Sequence, residues 1–195
     1  MKILAFETTD AVASVALYLD GAVDATAIDT DRRHAESVLP AAEALLARHG
    51  LTTADMDAFA ADVGPGSFTG VRIGVCTANA LGAAHKKPVI AVNALEALAH
   101  PFPDETVCAL IDARNGNGYG ALYRNGAAIV APCACVTADF TAGLPVGCRM
   151  VGTATNDPKL PSAAAVARIA AERTGEKEIA PLYLKLSQAE RLKGL

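Results

Sequence analysis

The chemistry this chain could perform, judged from residue types, concentrates in the run GPGSFTG at residues 64–70. Glycine and proline this dense, between the apolar stretch 58–63 and the long apolar run 71–84, describe a sharp bend opening a helix. The outward N–H groups of such a bend suit an anion. The run nevertheless fits neither standard phosphate loop. A P-loop needs Lys after its last glycine, where Val71 stands, and the dinucleotide fingerprint needs glycine at Thr69. Thr69 also breaks the Gly-x-Ser-x-Gly elbow, so Ser67 is not expected to be a nucleophile. Ser67 and Thr69 read instead as helix-start caps. Of the five cysteines, Cys133 and Cys135 have the spacing of a metal pair, but no second pair stands at zinc-site spacing. An odd, scattered set is no disulfide framework. No activated nucleophile, paired acid or metal motif supports peptide hydrolysis.

The elements that must position these residues follow from periodicity. Residues 2–8 and 11–19 read as strands, Asp20 and Gly21 as a two-residue hairpin turn, and 22–29 as a third strand. Polar residues 29–33 lead into a helix over 34–49, with Val38, Leu39, Ala42, Leu45 and Leu46 as its apolar stripe and Gly50 as its stop. Ala41, Ala44 and Ala47 make another face of this helix smooth. Beyond strand 58–63, the helix ending near Ala84 is apolar nearly all round. One side must cover its sheet; the other lies under another element of the chain or in an interface. Strand 89–92 follows, then a helix with Asn93 as N-cap and Glu96 at the capping-box position. Strand–helix–strand units imply parallel crossovers, hence a mixed sheet with helices over it.

Residues 100–104 (HPFPD) read as the seam between a first lobe, 1–102, and a second, 103–195, the last helix being free to pack back on the first lobe. The second lobe also opens with three strands (106–111, 120–123 and 127–130, the last after an Asn125–Gly126 turn), then a strand over 149–152 and a helix over 162–174. Two lobes opening alike suggest a duplicated fold.

Composition narrows the classes further. The chain of 195 residues is 52% hydrophobic with 42 alanines, carries a net charge of −4 and has no Lys/Arg run. Tight autonomous binding to a phosphate backbone needs several neutralising cations and is disfavoured. Small side chains bury little area each, a composition compatible with stabilisation by a second chain. Glu7 interrupts the apolar start, so no signal-peptide core is expected. No window approaches 18 uninterrupted apolar residues. A cytoplasmic protein without membrane contact is the expectation.

Several motifs in one order carry a resemblance: ILAFETT at 3–9, HAESVLP at 34–40, GPGSFTGVRIG at 64–74, PVIAV at 88–92 and ALEAL at 94–98, with DAR at 112–114, PLYL at 181–184 and QAE at 188–190. Together they resemble the TsaB (YeaZ) family of tRNA threonylcarbamoyladenosine biosynthesis proteins. The resemblance implies an α/β, two-lobed actin/hexokinase/Hsc70-like (ribonuclease H-like) fold with mixed sheets and a reduced second lobe. It implies a non-catalytic partner of the TsaD transferase, in placing threonylcarbamoyl on the adenosine beside the anticodon of tRNAs reading codons that begin with A. A TsaE-like ATPase in the same complex, a homodimer through much the same surface, and contact with tRNA through the complex belong to that picture. Pairing through the first-lobe helices is expected at Leu39, Ala44, Leu46, Cys76, Asn79, Ala80 and Ala83.

Where TsaD relatives carry a His-x-x-x-His metal pair, this chain has Asn93 and Ala97, so no metal ligand is expected there. The first turn of the nucleotide-binding superfamily corresponds to Glu7, Thr8, Thr9 and Asp10, without a glycine for close phosphate approach. Residues 112–118 form the second such turn, and 151–155 (VGTAT) are all that could serve as an adenosine loop. No cofactor is expected, ATP or ADP with magnesium being compatible only with the complex. The competing reading is an ATP hydrolase or kinase using Glu7, Thr9 and Asp112 around Mg²⁺ and phosphate.

Overall fold

In the computed structural model, which describes residues 1–28 and 34–184 (His34 by its backbone), alternation along the strands sets the layers. Strand β1 (Lys2–Glu7) sends Leu4 and Phe6 to one side, Ile3 and Ala5 to the other, all without exposed surface. A strand apolar at every position is one covered on both faces. It pairs antiparallel with β2 (Ala13–Leu19), which pairs antiparallel with β3 (Ala22–Ile28). The hairpin turn between them has positive φ at both Asp20 and Gly21, as the two-residue reading requires. On its other side β1 runs parallel to β4 (Ala58–Asp62), itself parallel to β5 (Val89–Val92), giving the order β3-β2-β1-β4-β5.

Helices α1 (His34–Arg48) and α2 (Phe68–His85) cover the face with the large side chains: Phe6, Leu17 and Phe59 pack with Leu45, Leu46 and Met56. The opposite face carries Ala5, Ala16, Ala58 and Ala60 beside Ile3, Ile90 and Val92. It receives α5 (Ala163–Ala170), whose own alanines let the helix sit close on the sheet. The amide of Ala163 is anchored by Ser14 Oγ at 2.9 Å. The chain therefore returns to the first sheet after building the second lobe.

Helix α3 (Ala94–Ala99) lies between the sheets, with Leu95 and Leu98 against Val107 and Ile111. Asn93 caps it by accepting from Leu95 N at 2.8 Å, as expected. Glu96 is engaged with Arg173 rather than with the cap. Arg173, which also donates to Ala91 O, lies beyond α5, which ends at Ala170 and not near 174.

The second sheet joins β6 (Thr106–Asp112), β7 (Asn117–Arg124), β8 (Ala127–Val136) and β9 (Arg149–Val151) in the order β8-β7-β6-β9, with helix α4 (Thr137–Ala142) between β8 and β9. β7 and β8 are longer than the sequence suggested, and α4 was not anticipated. The order repeats β3-β2-β1-β4, again with a helix between third and fourth strands. This is the two-lobed mixed-sheet fold that the resemblance implied, with the second sheet one strand short. Among the described residues no helix is long and apolar enough to cross a membrane. Residues 29–33 and the QAE motif at 188–190 lie outside the described residues.

Candidate functional site

The glycine turn at 64–70 is filled by its own chain. Ser67 caps α2 by accepting from Gly70 N at 3.3 Å, while its amide donates to Thr9 O at 2.7 Å. Thr69 is exposed in the first turn and is not the cap. Two glycines are explained by close approach: a Cβ on Gly70 would lie 2.0 Å from Thr8 O, and one on Gly74 would lie 2.6 Å from Thr8 Oγ1. Thr8 Oγ1 in turn donates to Gly70 O at 2.7 Å. The turn thus seats the first two turns of α2 directly on the end of β1, the space a phosphate cradle would keep open.

Beneath it lie two fully buried acids on adjacent parallel strands, Glu7 and Asp62. Glu7 Oε1 accepts from Thr9 N at 2.6 Å and Thr9 Oγ1 at 2.7 Å; Asp62 Oδ1 accepts from Gly64 N at 2.7 Å. Among the described residues, Glu7 Oε2 has no hydrogen-bond partner. Burial pushes the Glu7 carboxyl up to about 7, against its bonds from Thr9. Burial and then the neighbouring Glu7 push Asp62 well above the carboxylate range. Such a pair is stable when it keeps a proton. Glu7 is sealed from solvent in this fold. Thr9 is spent on holding it.

Of the remaining residues singled out for chemistry, the structure brings Asp112 together with the 151–155 loop. Asp112 is exposed and accepts from Arg114 N at 2.8 Å, a turn-closing bond, and its own amide donates to Thr153 Oγ1. The 151–155 loop is tied down by Ala154 N on Leu110 O and by Thr155 Oγ1 on Gly152 O. Asn93 is a helix cap and Ala97 is buried in the core. Cys133 and Cys135 lie half-buried on β8, their thiols donating to Gly120 O at 3.6 Å and Gly118 O at 3.5 Å on the neighbouring strand. Among the described residues no group of three or more His, Cys, Asp and Glu could hold a metal ion.

The helix face is where the expected partner residues separate. Leu39, Ala44, Cys76, Ala80 and Ala83 are exposed, Leu39 at 44%. Leu46 is a correction: at 1% exposure it faces the sheet with Leu45, because α1 turns consecutive positions 45 and 46 onto its buried stripe. Asn79 is already engaged within its own chain. It is half-buried and holds the chain's own residue 179, Nδ2 donating to Ile179 O at 2.8 Å and Oδ1 accepting from Ile179 N at 3.0 Å.

Those bonds belong to a strap that the sequence did not reveal. Residues 175–184 run along α2 from its C-terminal end to its start. Glu176 exchanges two backbone bonds with Val89, Leu182 N donates to Val63 O, and Tyr183 reaches Arg72. The second side of α2, for which the sequence left two covers open, is thus partly under its own chain. Between the strap and the C-terminal half of α2 lies a cavity of about 780 Å³ bordered by Ala80, Ala83, Lys86 and Glu178. Phe68, Arg72 and Tyr183, exposed together at the start of α2, were missed as well. The available signal was Arg72, the one basic side chain inside an otherwise apolar helix before His85.

Comparison with known proteins places this geometry. A family model described as TsaD, tRNA N6-adenosine threonylcarbamoyltransferase, matches residues 28–188, well over half of the chain. The tRNA threonylcarbamoyladenosine biosynthesis protein TsaB of Escherichia coli is 39% identical over 128 residues, 64% of this chain and 55% of that protein. The matched stretch thus spans about half the length of that curated relative. An uncharacterized protein of Mycobacterium tuberculosis is 35% identical over 170 residues, 83% of this chain and 79% of its own. The structure of YeaZ from Pseudomonas aeruginosa superposes with a TM-score of 0.77 at 29% identity, covering 94% of this chain and 99% of that one. The two-sheet architecture, the turn that seats α2 and these matches lead to one conclusion: the chain belongs to the TsaB (YeaZ) family, among the relatives of the TsaD transferase.

Proposed function

We propose that this chain is a non-catalytic partner subunit of a TsaD-like transferase, acting in the threonylcarbamoyl modification of the adenosine next to the anticodon in tRNAs that read codons starting with A. The observation that carries the reading is the contrast between the two ends of the glycine turn. Inside, the acids are sealed and the turn is packed shut. Outside, α1 and α2 lie on one face of the sheet and present Ala44, Cys76, Ala80 and Ala83, side chains small enough for another helix pair to approach closely. A TsaE-like ATPase joins the same assembly, tRNA is engaged by the assembly, and a homodimer uses the same face when the transferase is absent. Any nucleotide with magnesium is held by the complex. The protein works in the cytoplasm.

Ala44→Glu and Ala80→Arg put a bulky charge on this face without touching the core. Both should abolish co-purification with the transferase while leaving the thermal transition unchanged. Retention of the transferase by both variants would sink the proposal. Reconstitution of the tRNA modification with and without this chain tests the role, and calorimetry with Mg-ATP on the isolated chain separates it from a phosphoryl-transfer enzyme.

A further inference from the structure

We infer that Arg72, held against the stacked rings of Phe68 and Tyr183 at the start of α2, is the anchor that receives a carboxylate from the partner protein docking on the helix face; this rests on the partner reading above. The Arg72 guanidinium carbon lies 3.9 Å from the Phe68 ring centroid and 6.0 Å from that of Tyr183. The two rings stack on each other at 5.3 Å, and Arg72 Nε donates to Tyr183 Oη at 2.9 Å. One of five N–H donors is therefore used, and by a neutral acceptor. Among the described residues, no carboxylate pairs with Arg72, whereas Arg48, Arg149 and Arg173 each have one.

An exposed arginine normally loses side-chain freedom when it binds. Here stacking and the Nε bond have already fixed the plane of the fork, which lowers that cost. Phe68 and Tyr183 are 43% and 47% exposed, large aromatic surfaces that a partner would cover. Arginine beside exposed aromatics is the composition of an interface anchor. The donors left over match a carboxylate held bidentately. Charge selects a protein over a nucleic acid: Arg72 is the only cation in Phe68–His85 apart from the terminal histidine, and residues 179–184 carry no charge. A phosphate backbone is bound by several cations, a single carboxylate by one. The position is continuous with the small-residue face. From Arg72 through Cys76 and Ala80 to Ala83 the helix rises roughly 16 Å, about three turns, so one docked helix reaches both.

The test uses the full chain and the TsaD-like protein of the same organism, with affinity measured by calorimetry at low and high salt. Arg72→Lys keeps the charge but loses the fork and the stacking, and should weaken binding on the order of tenfold to a hundredfold. Tyr183→Phe keeps the ring and removes the Nε acceptor, and should weaken it several-fold. Arg72→Glu should be rescued by reversing one Asp or Glu on the partner. Wild-type affinity for Arg72→Lys, alongside loss of binding by Ala80→Arg, overturns the carboxylate anchor and leaves the partner reading intact. Wild-type affinity for Ala80→Arg as well removes both. If Arg72→Lys abolishes retention of tRNA by the isolated chain while partner affinity is unchanged, the anchor serves phosphate and the inference fails.

Discussion

Replacing Glu7 by glutamine should flatten the pH dependence of this protein's stability between pH 4.5 and 7. In the folded chain the Glu7 carboxyl is buried beside Asp62, and its midpoint moves from the ordinary 4.5 to about 7. A carboxyl whose midpoint is raised on folding favours the folded state fully below pH 4.5. Above that the unfolded chain releases a proton that the folded chain keeps, and stability falls until the folded carboxyl also ionises near pH 7. Each pH step in this window costs about 1.4 kcal/mol, and the whole window about 3 kcal/mol, a sizeable part of an ordinary domain's stability. Asp62, pushed up by burial and by Glu7, extends the fall to higher pH. Asp20, Asp24 and Asp55 act in the opposite sense. Hydrogen bonds from the N-terminal ammonium, from His49 and from Thr52 hold them low, so their contribution disappears only as pH drops below about 4, outside the window. The difference between wild type and Glu7→Gln is the informative quantity, because every other ionisable group is common to both proteins. Glutamine keeps the carbonyl that accepts from Thr9 N and Oγ1 and cannot ionise. Urea denaturation at half-unit pH steps from 4 to 8.5 gives both curves. The wild-type curve should fall by about one proton's worth of slope more than the variant's. Superimposable slopes would refute the buried, proton-holding Glu7.

Gly70→Ala should cost about 3 kcal/mol or more by denaturant titration, because its Cβ would stand 2.0 Å from the backbone oxygen of Thr8, which no rotamer change relieves. Leu46→Ala should destabilise the isolated chain by about 2–5 kcal/mol, whereas Leu39→Ala should stay within about 0.5 kcal/mol and show its effect only in partner affinity. Asn79→Ala removes both bonds to Ile179 and should speed amide hydrogen exchange in residues 176–183 ahead of the core strands, with a stability loss of about 1–3 kcal/mol. Cys76, exposed on the helix face, should react with a maleimide and be protected by the bound transferase. Cys108 should resist labelling in both states, its thiol buried and pushed up to about 12.

Much of this architecture is written in local pattern. The turn chemistry at Asp20 and Gly21, the cap at Asn93 and the alternation along β1 are short-range properties, decided within a few residues by backbone sterics and the two-residue period. Motif order was enough to identify the family. Side choice was harder. Periodicity placed both Leu39 and Leu46 on the stripe of α1, yet only Leu46 reaches the sheet, since the stripe is wider than the line of contact. For α2, apolar nearly all round, sequence could not say which element covers which side.

That question belongs to tertiary structure, because its answer lies about a hundred residues away. Asn79 meets Ile179 and Arg72 meets Tyr183 across separations that leave no periodic trace in either segment. The same holds for the acids: Glu7 and Asp62 look like two ordinary carboxylates until parallel pairing of β1 with β4 sets them side by side out of water. By itself the sequence determined the elements of the first sheet and the family, since these rest on local geometry and on motif order, whereas α4 and the full lengths of β7 and β8 appeared only in the fold. Only the fold decided that the glycine run is a packed seat for a helix rather than an anion cradle. That outcome depends on Thr8 occupying, to within 2.0 Å, the space into which any side chain at position 70 would grow.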